Sequence, residues 1–259
     1  MSPKHTQSTG FVWLIGAGPG ASDLITVRAL RVLQGAEAVV YDELANADLL
    51  KSAPANCELH SVGKRAGRHN ATQDEINALL VSLAQAGKKV VRLKGGDPLV
   101  FGRAGEEIEA LRAAGLPYEI VPGVTAATAA AAAAGLPLTH RDHSSAVVFV
   151  TGHQCAANTD AFDWHALAKL RATLCFYMGV RRLPEIARNL LAHGMPPATP
   201  LALISQATLP AQKITITRLD AAEKISPDGI VPPALVVIGD VVSLSDFATR
   251  VPALAAQGR

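Results

Sequence analysis

Asp97 and Arg103 stand six residues apart in Arg92–Glu107, which reads RLKGGDPLVFGRAGEE. An acid and a cation flank a turn whose glycines let a ligand approach the backbone closely. Ligands of open α/β sheets bind where strand ends meet helix starts, so this stretch marks a candidate site rather than an ordinary loop of solvated charges. Two more strand ends carry ionisable groups: Asp42 follows Ala38–Tyr41, and Lys64-Arg65 follow Cys57–Val62. For Asp42 a turn-forming aspartate is an equally good reading, and the same caution covers Lys64. Arg141 lies on a polar linker, where a guanidinium suits a substrate carboxylate. Its neighbours His140, Asp142 and His143 could suggest a metal, but no other ligand types converge on them, and solvated side chains are the better reading.

The elements that position these groups follow from the hydrophobic pattern. Val90 and Val91 make Lys89–Leu93 a buried strand, Gly95-Gly96 and Asp97-Pro98 break it, and Ala104–Ala114 reads as a helix with Glu106 and Glu107 in its first turn. Phe11–Ile15 is a strand running into Gly16-Ala17-Gly18-Pro19-Gly20, followed by a helix over about Ser22–Leu33 capped at Ser22 or Asp23. That loop is an imperfect dinucleotide fingerprint: Ala21 stands where the last glycine belongs, and Pro19 removes a backbone N–H that a pyrophosphate would need. Thr72 with Glu75 forms a capping box for the next helix. Tyr118–Val121 is a strand, and Ala126–Ala134 a closely packed alanine helix.

Gly135–His143 reads as a linker, so we expect a disordered tail at 1–10, an N-terminal domain at 11–138 and a C-terminal domain at 139–259. Beyond it, strands are expected at Ala146–Thr151, Thr173–Met178, Pro200–Ser205, Ile214–Thr217 and Ala234–Gly239, the fourth alternating apolar and polar residues as an edge or antiparallel strand does. The fold class is α/β, with about five strands in each half.

Composition narrows the function. The 259 residues are 49% hydrophobic, enough for a sizeable core, and a net charge of +2 gives no argument for nucleic acid or an anionic membrane surface. Three cysteines without CxxC spacing fit free thiols in a reducing compartment. No signal peptide and no apolar run of spanning length is present, so a cytoplasmic protein is expected.

Taken together, the motifs resemble the tetrapyrrole methylase family, in particular its uroporphyrinogen-III C-methyltransferases. They run in family order: VWLIGAGPG at Val12–Gly20, Tyr41-Asp42, Val62–Arg65, the Arg92–Glu107 stretch, VPGVTA at Val121–Ala126, GLPLTHRD at Gly135–Asp142, Thr151–His153, Tyr177–Gly179 and Ala207–Gln212. The central motif and GLPLTHRD are the most specific. Ala104 and Ala207 stand where the family usually has glycine, and Ala21-Ser22 replaces an acidic pair.

The resemblance implies two α/β domains with S-adenosylmethionine in a cleft between them, bound by Pro19, Gly95, Gly96, Asp97, Val100, Thr125, Ala126, Met178 and Ala207. It implies methylation of uroporphyrinogen III at C2 and C7, giving precorrin-2 through precorrin-1 with S-adenosylhomocysteine as by-product and no metal. Asp42 is then the candidate proton acceptor and Lys64 the donor, with Arg103, Glu106 and Arg141 handling the carboxylated substrate. A homodimer is implied too. With a tail of ten residues, the dehydrogenase-chelatase module fused to some relatives is not expected here. A methylase of another precorrin, a protein or RNA methylase, and a nicotinamide-dependent dehydrogenase stay open as alternatives.

Overall fold

The computed structural model describes residues 9–63, 71–152 and 162–246. They form two compact units, one ending at Thr125 and one beginning at Ala126. The sequence drew its boundary later, after residue 138. The alanine helix belongs to the second unit because its small side chains pack into the core of the second sheet.

In the first unit the chain runs β1 (Phe11–Gly16), α1 (Val27–Leu33), β2 (Ala38–Tyr41), α2 (Ala47–Leu50), β3 (Glu58–Ser61), α3 (Gln73–Gln85), β4 (Lys89–Lys94), α4 (Ala104–Ala113) and β5 (Tyr118–Val121). The five strands are parallel, in the order β3-β2-β4-β1-β5. Both faces are covered, which is why the inner strands are continuous apolar runs rather than alternating ones. Val12, Leu14, Val40 and Val90 pack with Leu80, Ile108 and Leu111 from α3 and α4. Ile15, Val39, Val91 and Leu93 pack on the other face with Ala29 and Leu33 of α1.

The capping box of α3 forms as expected: Glu75 N–H donates to Thr72 Oγ1 at 3.2 Å, and Thr72 N–H to Glu75 Oε2 at 2.6 Å. The helix expected from Ser22 is interrupted. Ser22–Leu24 makes only a short 3-10 turn, Ile25 and Thr26 are extended, and α1 starts at Val27 with Thr26 Oγ1 accepting from Ala29 N–H at 3.2 Å. Thr26 captures the cap that the sequence assigned to Ser22 or Asp23.

The second unit runs α5 (Ala126–Ala133), β6 (Val147–Thr151), α6 (Trp164–Lys169), β7 (Thr173–Tyr177), α7 (Leu183–Ala192), β8 (Pro200–Ser205), β9 (Lys213–Arg218), α8 (Leu219–Ala222) and β10 (Ala234–Ile238). Its sheet order is β6-β7-β10-β8-β9, with β6 and β7 parallel and the other pairs antiparallel. β9 is the antiparallel edge its alternating sequence predicts. α5 covers one face, over Cys175, Ile204 and Val237, and α7 the other, over Leu174, Phe176 and Val236.

Candidate functional site

In a parallel sheet every strand ends at the same edge, so β1, β2, β4 and β5 deliver their loops side by side. β1 and β4 stay in register to their last pair, Gly16 with Lys94, and their loops remain joined beyond the sheet. Ala17 N–H donates to Lys94 O at 2.7 Å, Gly18 N–H to Gly96 O at 3.2 Å and Gly96 N–H to Gly18 O at 2.7 Å. The loop after β5 closes over them. A Cβ on Gly123 would lie 2.2 Å from Gly96 O, and one on Gly16 would lie 2.5 Å from Gly123 Cα, so glycine is required at this crossing. The N–H groups of Ala17, Gly18 and Gly96 are thus already taken by backbone carbonyls, which argues against a pyrophosphate on this part of the loop.

Asp97 is not the bare acid its sequence context suggests. Its Oδ1 accepts from Leu99 N–H at 2.8 Å and its Oδ2 from Gly123 N–H at 3.0 Å, so the carboxylate pins the β4 loop to the β5 loop. A carboxylate has about four lone-pair sites, which leaves room for a cationic ligand group as well. Half-buried Pro19, Gly95, Gly96, Val100 and Thr125 lie in these same joined loops.

Arg103 is not bare either. Its Nε and Nη2 each donate to a Glu106 carboxylate oxygen at 2.8 Å, a fork held across one turn at the start of α4. The hydrogen bond to Glu106 raises the guanidinium pKa above its ordinary value, and the bond to Arg103 lowers that of Glu106. Both side chains are about half exposed. Arg103 and Phe101 have positive φ, as do Met178, Gln206 and Thr208, and these five are the non-glycine residues in that region among those described. Such backbone costs about 1–3 kcal/mol per residue and gathers at functional loops.

Asp42 sits half-exposed at the end of β2. Its Oδ1 accepts from Leu44 N–H at 3.1 Å and its Oδ2 from Arg92 Nη2 at 3.2 Å. Arg92, Lys94 and Glu107 form a buried ion cluster that the sequence reading passed over. Lys64 lies outside the described residues.

In the second unit Met178 follows β7 and Ala207 follows β8, strands that point the same way, so both sit at one edge of that sheet. Tyr177 joins this edge to α5, its hydroxyl accepting from Ala127 N–H at 3.0 Å beside Ala126. The sequence places Tyr177 in a motif but gives it no role, because its partner Ala127 is 50 residues away. Arg141 is exposed on the His140–Ser144 turn, which leads into β6 and is tied to Thr173 at the start of β7. It therefore stands at the opposite edge of the sheet from Met178 and Ala207. In the same turn His140 Nδ1 accepts from Asp142 N–H at 3.2 Å.

Residues 12–223 match the family described as Tetrapyrrole (Corrin/Porphyrin) Methylases. The chain belongs to the tetrapyrrole methylases. A uroporphyrin-III C-methyl transferase from Thermus thermophilus, solved as a complex with S-adenyl homocysteine, matches at 40% identity and a TM-score of 0.78 over 91% of this chain and 100% of that one. A cobalt precorrin-4 methyltransferase matches at 31% identity and a TM-score of 0.79, over 90% of this chain and 95% of that one. A siroheme synthase from Hahella chejuensis is 49% identical over 93% of this chain and 51% of its own length. The chain thus spans about half the length of the curated relatives it matches. Among the described residues no helix is long and apolar enough to cross a membrane.

Proposed function

We propose that this chain methylates uroporphyrinogen III at C2 and C7, using S-adenosylmethionine and giving precorrin-2 through precorrin-1. The observation that carries the reading is the joined β1, β4 and β5 loops with the Arg103–Glu106 fork beside them, in a chain that covers the whole of a solved uroporphyrin-III methyl transferase at 40% identity.

The residues present suit the methyl donor. Asp97 keeps lone pairs for an ammonium, glycine backbone allows close approach at Gly95 and Gly96, and Pro19, Val100, Thr125 and Ala126 are half-buried small or apolar neighbours. Met178 and Ala207 are assigned to the methyl donor by family likeness alone. The sulfonium of S-adenosylmethionine carries the activated methyl group. The protein's own tasks are positioning and proton removal. Asp42 accepts the proton and Lys64 is the donor. Arg103 cannot be the base, because Glu106 pushes its pKa further up; it anchors a substrate carboxylate while Glu106 sets the fork. Arg141, at the other edge of its sheet, takes a substrate carboxylate only by family likeness, and the homodimer rests on that likeness too; the cytoplasmic location rests on three cysteines without CxxC spacing.

Anaerobic incubation with S-adenosylmethionine and enzymatically generated uroporphyrinogen III, read by mass, tests the proposal. A product heavier by two methyl groups is expected. Cofactor binding without transfer would redirect the search to a later precorrin as acceptor. Arg103→Lys, which keeps the charge but loses the fork, is expected to lower kcat/KM about 10- to 100-fold, mainly through KM for the porphyrinogen.

A further inference from the structure

Beneath the three loops lies a buried cluster of charge that the proposed chemistry does not use. Arg92, on β4, is 3% exposed, Lys94 4%, and Glu107, on α4, 0%. Arg92 Nε donates to Glu107 Oε1 at 2.9 Å, and Lys94 Nζ to both Glu107 oxygens at 2.9 Å. Arg92 Nη1 donates to Leu93 O at 3.1 Å and Val40 O at 3.4 Å, and Nη2 reaches Asp42. The buried three carry two cations and one anion, so the excess positive charge points at Asp42. Replacing such a cluster with apolar residues of similar volume is often neutral or stabilising, so stability alone is a weak reason for it to be there.

Its placement suggests another reason. Lys94 directly precedes Gly95, Glu107 directly follows Glu106, and Arg92 holds Asp42. Each member is thus coupled to a different segment of the proposed site: the β4 loop, the start of α4 and the end of β2. We propose that Arg92, braced by Glu107 and Lys94, is a positioning residue that fixes the Asp42 carboxylate relative to the methyl-donor loop. This rests on the reading of Asp42 as the proton acceptor. Only a planar fork serves Glu107, two carbonyls and Asp42 at once; an ammonium in its place gives up part of that set.

The test is a double-mutant cycle of Arg92→Lys and Asp42→Asn on the full chain, with kcat and both KM values measured and folding checked by circular dichroism. Arg92→Lys is expected to lower kcat on the order of 10- to 100-fold, the scale of a misplaced catalytic group, with KM for S-adenosylmethionine little changed. Added to Asp42→Asn, it is expected to cost nothing more. A loss of equal size in the Asp42→Asn background, or none in the native background, overturns the inference while leaving Asp42 as acceptor. An Asp42→Asn variant with native kcat overturns the reading of Asp42, and the inference falls with it. If Arg92→Lys does not fold, Lys94→Met, which strips Glu107 of its second partner and draws Arg92 away from Asp42, takes its place in the same cycle with the same outcomes.

Discussion

Lys94 shows what burial does to a single residue here. Its ammonium is held below the ordinary lysine pKa, first by burial and then by the neighbouring Arg92 charge, with Glu107 opposing. The folded pKa is therefore lower than the unfolded one. Between the two the unfolded chain binds more protons, and stability rises with pH. Below that window the folded protein bears the full cost of a buried ammonium. Stability of Lys94→Met is expected to lack this rise, so the difference between native and variant melting temperatures should shift in favour of the native chain from pH 8 to pH 10. A difference that stays flat would mean that Lys94 titrates as it does in water.

Two elements depend on contacts that a single atom would disturb. At the crossing of the β1, β4 and β5 loops, Gly123→Ala places a methyl group against Gly96 O and Gly16 Cα. The backbone must part, and a loss of about 1–3 kcal/mol is expected from overpacking. Binding of S-adenosylhomocysteine should weaken further than stability does, because the displaced β4 loop carries Asp97. Titration calorimetry with a native-like affinity would show that the crossing is only structural. The second element is α5, whose Ala127 N–H is one of the donors a helix start leaves without an intrahelical partner. Tyr177 satisfies it. Tyr177→Phe keeps the ring in the core but orphans that donor, at an expected cost of about 1–2 kcal/mol. KM for S-adenosylmethionine should rise while kcat holds, since Ala126 and Met178 adjoin the lost bond. An unchanged KM would separate Tyr177 from the site.

At the scale of the whole molecule, the strands and glycine loops were legible because apolar runs and glycine punctuation are local signals, and ten strands appear where the sequence reading placed them, within a residue or two at their ends. The start of α1 was not, because Thr26 and Ser22 are both good caps and only the extended backbone at Ile25 and Thr26 decides between them. Asp97 looked unpaired because its partner Gly123 is 26 residues away. Arg92, Glu107 and Asp42 were hidden for the same reason: their bonds cross strands and a helix. That Arg141 stands at the opposite edge of its sheet from Met178 and Ala207 was hidden as well, because strand direction is not a local signal. What the sequence leaves to a whole-molecule measurement is which ligand the assembled loops accept. Ligand present at about 100 times its Kd stabilises the folded chain by ~2.7 kcal/mol. For a chain of this size that is roughly a 5–10 °C rise in Tm, at ~2–4 °C per kcal/mol. S-adenosylhomocysteine is expected to produce it, and NAD at equal concentration to produce none, because Ala17, Gly18 and Gly96 offer a pyrophosphate no N–H that is not already bonded to backbone. Asp97→Ala should abolish the shift with S-adenosylhomocysteine. An equal shift with NAD would mean that the β1 and β4 loops part to bind it, and would reopen the dehydrogenase reading.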